Sequence, residues 1–202
     1  MGFITNLLPA PKLSRTLRVV SILAAGKETQ ISADNLDLCK SYSFTTAGFY
    51  ATTMTTLALS HLAAQHPSIS FLHVFPGFVP MPIHASAWGG IVGSIVSMLL
   101  WPFTLPLNQS GEWSLFVATS AAFRSREYRE GDEGVPLVDG VSTVRGADGV
   151  VGSGGYILNY DGRDVTKRGL GSWMGLERQG LRGSCGSICL RRPRGLVQAR
   201  SE

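Results

Sequence analysis

The clearest signal along the chain is an alternation of short apolar runs with longer helical patterns. Residues 18–24 (RVVSILA) form a nearly continuous apolar stretch rich in β-branched side chains and closed by Gly26, the pattern of a strand buried on both faces. Over 45–65 the apolar residues Ala47, Tyr50, Ala51, Met54, Leu57, Ala58 and Leu62 recur at helical spacing. Ser43 or Thr45 is available as the cap of this helix, and Pro67 follows its end. Residues 69–75 (ISFLHVF) read as a second buried strand, bounded by Pro76 and Gly77. A further helix is predicted from about Ser110, with Glu112 in its first turn and Leu115, Phe116, Ala118 and Phe123 as its apolar side. Residues 124–154, dense in charge, Gly and Asp, read as loop, and 155–160 (GYILNY) as a third strand stopped by Asp161 and Gly162. Upstream, 3–8 has the look of the last turns of a helix, stopped by Pro9 and Pro11. Strand, helix, strand in this order is what a parallel crossover needs, so the predicted class is α/β.

Composition changes this picture at one end. The chain is 44% hydrophobic and 16% charged, ordinary for one globular domain of 202 residues. Of its 18 Lys and Arg, however, eight fall between Lys167 and Arg200, opposed only by Glu177 and Glu202. Residues 167–202 therefore carry about +6 and residues 1–166 about −2, and the basic isoelectric point describes a tail. The expected division is a folded domain over 1–166 and a disordered Gly/Arg-rich tail over 167–202. Trp173 is the only aromatic in that tail, so stacking platforms for nucleic acid are lacking and no nucleic-acid partner is expected. Cys39 stands alone and Cys185 and Cys189 lie in the tail, which is no disulfide framework. With no secretory signal pattern at the amino terminus, the expected location is cytoplasmic. The uncharged run 85–107 is long enough to cross a bilayer but is interrupted by glycines and prolines, so membrane association through it is the alternative.

Several phrases, in order, carry a family resemblance: FITNLLP running into RVVSILAAGKE, then FYATTMTTLALSHLA, ISFLHVFPGFV, LNQSGEWSLFVATSAAF and VVGSGGYILNYDG. Together they span residues 3–163 and resemble the C-terminal half of a short-chain dehydrogenase/reductase, of a divergent fungal branch associated with specialised-metabolite biosynthesis. The resemblance implies an incomplete doubly wound, Rossmann-like parallel sheet lacking its first strands. It also implies an NADP- or NAD-dependent oxidoreductase acting on a small-molecule carbonyl substrate. Pro76 and Gly77 match the family's Pro-Gly beside the nicotinamide and are the candidate cofactor-binding residues.

The departures bear on chemistry. A dinucleotide site opens with a strand, a Gly-rich turn and a helix whose N-terminal amides hold the pyrophosphate, and nothing before Arg18 supplies one. The Gly-rich stretch 149–155 precedes a strand instead of following one, and reads as a turn. In the family a Tyr hydroxyl exchanges a proton with the carbonyl oxygen, a Lys four residues on lowers its pKa and a Ser positions the substrate. Alignment on RVVSILAAG puts Ala24 at the Ser, and anchoring the next helix by its own register or by Pro76 and Gly77 puts Gly48 or Thr46 at the Tyr. Tyr50 is the one catalytic candidate nearby, but the fourth residue after it is Met54, so a core role for Tyr50 is the preferred reading.

His61, His66, His73 and His84 show no metal-ligand spacing, and no nucleophile elbow or triad pattern is present. The expectation is thus an oxidoreductase-like chain that does not bind NADP(H) or turn over by itself. The rival of a different class is a non-catalytic module that docks on a full-length relative through an open sheet edge.

Overall fold

The computed structural model describes residues 4, 6, 17–79, 104–128 and 134–166. The Pro80–Pro82 region, His84, most of the 85–107 run, Cys185, Cys189 and the tail fall outside them. Among the described residues the architecture is α/β. Strands β1 (Arg18–Ile22), β2 (Ser70–Val74) and β3 (Gly155–Leu158) form a parallel sheet in the order β1-β2-β3. Helix α1 (Phe44–Gln65) connects β1 to β2, and α2 (Leu107–Thr119) lies between β2 and β3 in sequence. This sheet with two helices is compatible with part of a Rossmann-like fold.

Alternation along the strands assigns the two faces. Phe71 and Ile69 pack with Leu59, Leu62 and Ala63 of α1, while Ile157 of β3 packs with Leu57. On the other face Leu72, Val74, Tyr156 and Leu158 pack with Val117 of α2 and with Ala122 and Phe123 of the 3-10 turn Ala121–Phe123. The sheet is therefore covered on both sides, which is why β2 reads as an unbroken apolar run: all five of its residues are buried. Full burial of a side chain such as Phe71 or Leu72 contributes about 2–3 kcal/mol. A T-shaped aromatic series, Trp113–Phe116–Phe123–Tyr156, runs through the α2 side at centroid spacings of 5.9, 5.7 and 5.7 Å. Ile4, helical like Asn6, packs against the α1-side core near Leu17 and Val19.

The expected elements form with small shifts at their ends, and three expectations are corrected. First, β1 is not buried on both faces: its residues are half-buried and Ile22 is 57% exposed, because among the described residues β1 pairs with β2 alone. Second, the buried side of α1 includes the predicted stripe at Leu57, Ala58 and Leu62 but is wider than it. Ala51 is exposed, whereas Thr52, Thr53 and Thr56 are buried, each with its hydroxyl bonded. Third, α2 begins at Leu107 behind Pro106, and not near Ser110, so Glu112 lies beyond its first turn. Its inward residues are Val117 and Phe116, while Leu115 is 65% exposed and Ala118 also faces out.

Ser43 caps α1 by accepting the Thr46 N–H at 3.1 Å, and the helix ends at Gln65, with the His66 N–H returning to Leu62 O. Residues 124–154 hold no strand among those described. No helix among the described residues is long and apolar enough to cross a membrane.

Candidate functional site

In a parallel sheet every strand delivers its carboxyl end to the same edge, where ligands of open α/β folds bind. Here that edge is made by Ile22, by Val74 running into Pro76 and Gly77, and by Tyr160 beyond β3. Leu23 N–H donates to Val74 O and Phe75 N–H to Leu158 O, both at 2.9 Å, so the three chains leave the sheet in step. A shallow cleft opens between this edge and α2, lined by Ile22, Val74, Pro76, Ser110, Trp113 and Tyr160. Gly77 has φ +76°, and a Cβ there would stand 3.3 Å from the Tyr160 ring, so the turn needs glycine twice over. Beyond it Phe78 meets Phe75 edge-on at 5.9 Å, and its carbonyl accepts from Leu105 N–H at 2.7 Å, which returns the chain toward α2.

On the α1 face of the sheet a strap, residues 24–32, leaves β1 and runs along α1. Three side chains of α1 at three-residue intervals hold it, because residues at that spacing share a helix face. Tyr50 Oη accepts the Ser32 N–H at 3.1 Å. Thr53 Oγ1 accepts the Thr29 N–H at 2.9 Å and donates to Thr29 O at 3.0 Å. Thr56 Oγ1 donates to Glu28 Oε1 at 2.8 Å. Tyr50 is half-buried and packs against the cluster of Ala25, Ile31, Leu57 and Ile157, as does Phe75 beside Pro76. The structure thus brings Tyr50, Pro76 and Gly77 around the same end of the sheet, but the Tyr50 hydroxyl is engaged with a backbone amide.

Sequence reasoning missed the polar cluster beneath the strap. Glu28 and His73, with side chains each 1% exposed, meet across Thr56: Thr56 Oγ1 lies 2.6 Å from His73 Nδ1, and Nδ1 lies 3.8 Å from Glu28 Oε1. Burial pushes the His73 imidazole down to about 4, so at neutral pH the contact is a hydrogen-bonded relay and not an ion pair. The available signal was His73 itself, the one polar ring inside the apolar run of β2. No group of three or more His, Cys, Asp or Glu side chains among the described residues converges as a metal site would require.

The described residues offer no phosphate cradle after β1. The connection from β1 to α1 (23–43) contains one glycine, Gly26, and the α1 amino terminus is capped by its own Ser43, so it forms no Gly-rich cradle.

Comparison with known proteins gives the class. The chain is 41% identical over 169 residues to "Oxidoreductase andH" of Emericella variicolor, covering 82% of this chain and 50% of that protein. It is 39% identical over 173 residues to "Oxidoreductase AN1596" of Emericella nidulans, covering 83% and 51%. It is 28% identical over 151 residues to "NmrA-like family domain-containing oxidoreductase notO" of an Aspergillus species, covering 74% and 42%. The chain is homologous to fungal oxidoreductases. It spans about half the length of the curated relatives it matches. No family model and no solved structure matches it.

Proposed function

We propose that this chain is a short-chain dehydrogenase/reductase-type oxidoreductase of a fungal specialised-metabolite pathway, using NADP(H) or NAD(H) on a small-molecule carbonyl substrate. The observation that carries the reading is the carboxyl edge of the parallel sheet. There the Pro76–Gly77 turn, held against Tyr160, stands at the place where such folds receive a nicotinamide ring. The described residues supply that turn and the order of the strands, in the manner of the family's C-terminal half. They supply neither a pyrophosphate cradle nor a Tyr and Lys pair, because Met54 follows Tyr50 by one turn and the Tyr50 hydroxyl accepts a backbone N–H. A phenol so engaged is poorly placed to exchange a proton with a substrate oxygen.

Two fragments separate these statements. Nicotinamide mononucleotide, titrated into the isotope-labelled chain, is expected to shift the amides of Phe75, Gly77, Phe78 and Tyr160, while ADP leaves the spectrum unchanged. NADPH is expected to bind without saturation and to support no turnover of aldehydes or ketones by the isolated chain. Shifts produced by ADP and not by the mononucleotide would sink the assignment of the edge. Saturable NADPH binding would show that the pocket is completed by residues beyond those described or by association.

A second reading, docking on a full-length relative, is favoured by β1: among the described residues it is paired on one side only, with Ile22 57% and Leu23 39% exposed at its end. Co-purification with such a relative, lost when Val20 and Ile22, whose N–H groups face away from β2, are replaced by proline to block strand pairing, is the test of it.

A further inference from the structure

The cluster under the strap has an unusual proton inventory. Glu28 Oε1 accepts from Gly26 N–H at 3.2 Å and from Thr56 O–H at 2.8 Å. Thr56 has one proton and has given it to Glu28, so at 2.6 Å His73 must donate from Nδ1. That leaves Nε2 with a bare lone pair, and both Nε2 and Glu28 Oε2 are buried without a partner. The groups around the ring offer nothing else that is charged. In register His73 stands between Ser21 of β1 and Ile157 of β3, and the buried positions of α1 are Thr, Leu and Ala. In the strap Lys27 is exposed, and past β3 the Asp164 carboxylate accepts the Thr166 N–H.

We propose that Glu28, Thr56 and His73 form an acid-sensitive latch that holds the 24–32 strap closed beside the carboxyl edge of the sheet. The closed form requires a neutral imidazole, because a proton on Nε2 would be a buried charge with no acceptor. Withdrawal of the strap takes Glu28 away and admits water, and the wetted imidazole binds a proton readily. Acid therefore favours the open form. The sign follows from linkage: the closed-state pKa of about 4 lies below the ordinary 6.5, so closure is complete above pH 6.5 and weakens as pH falls toward 4. Tyr50 and Thr53 hold the far part of the strap at Ser32 and Thr29. The region that opens is thus the segment from Ala24 to Glu28 on the α1 face of the sheet, whether or not a cofactor binds at its carboxyl edge.

The test is amide exchange of the whole chain, corrected for intrinsic rates. The Gly26 amide, bonded to Glu28, is expected to lose protection about tenfold per pH unit between 6.5 and 4, while the Thr29 amide, bonded to Thr53, keeps its own. The Phe71 and Phe75 amides, bonded to Gly154 O and Leu158 O, keep theirs. His73→Asn, which retains an N–H toward Thr56 but cannot titrate, flattens the dependence. Protection of the strap that is independent of pH overturns the latch, as does loss in strap and β2 together, or an unchanged slope in His73→Asn. Imidazole nitrogen shifts of the unaltered protein at pH 7 are a check that needs no variant: the Nδ1–H tautomer is expected, and Nε2–H overturns the proposal.

Discussion

Arg18 opens β1, yet its guanidinium serves the far side of the α2 layer. One terminal nitrogen donates to Val117 O at 2.9 Å, and the other to Ser120 O at 2.9 Å and Phe123 O at 3.0 Å. These carbonyls belong to the end of α2 and the turn after it, where a helix has unpaired acceptors and the negative end of its dipole. Replacement by Met keeps much of the apolar stem and removes all three bonds. Hydrogen bonds to a charged group are each worth about 1.5–3 kcal/mol, and water reaches part of this half-buried site, so the expected loss is about 3 kcal/mol in total. With a urea m-value of about 2 kcal/mol/M, the unfolding midpoint should fall by about 1.5 M. Arg18→Lys should lose about half as much, since an ammonium on a flexible stem cannot serve three spread acceptors as a planar fork does. The assay is urea denaturation followed by circular dichroism and tryptophan fluorescence together. A midpoint for Arg18→Met within 0.3 M of the unaltered chain would refute the idea that this residue ties β1 to the end of α2.

Gly26→Ala should cost about 2 kcal/mol or more in the same assay, because φ is +81° and the new Cβ would stand 2.9 Å from Val165 Cγ2. Tyr50→Phe should cost about 1 kcal/mol by orphaning the Ser32 N–H; if the chain reduces a carbonyl and this change abolishes it without unfolding, Tyr50 is catalytic after all. Burial pushes the Tyr156 phenol up to about 12, and its hydroxyl donates to Arg124 O at 2.7 Å. The protein should therefore lose about 2–3 kcal/mol as pH rises from 10 to 12, since the unfolded chain ionises first, and Tyr156→Phe should remove that dependence in alkaline titrations.

The strands and helices were legible because burial on two faces writes itself into composition: ISFLHVF can hardly be anything but an inner strand. What was not legible was which strand is inner and which is edge. RVVSILA is richer in β-branched residues than the run in β2, and only the pairing partners, which lie far away in sequence, decide that Ile22 stays 57% exposed. The apolar stripe of α1 gave only part of its buried side for a related reason. A threonine carries a methyl and a hydroxyl, and counts as polar in a periodicity reading until a partner is known. Thr53 and Thr56 are buried because the strap brings Thr29 and Glu28 to them.

The same logic explains why Tyr50, Pro76 and Gly77 could be singled out while Glu28 and His73 could not. A motif residue announces itself by neighbours along the chain, as Pro76 and Gly77 do after an apolar strand. Glu28, Thr56 and His73 come from three separate elements, and each taken alone has a bland reading as a loop carboxylate, a helix threonine or a core histidine. Their meaning lies in the proton count, which needs distances. Thr56 at 2.8 Å from one partner and 2.6 Å from the other has only one hydrogen to give. That constraint assigns the imidazole tautomer and leaves Nε2 bare, and with it comes the direction in which acid must push the strap. If exchange measurements find the strap indifferent to acid while the tautomer is Nε2–H, the hydrogen bonds run the other way. Thr56 would then donate to His73, and the latch would not be what holds the strap.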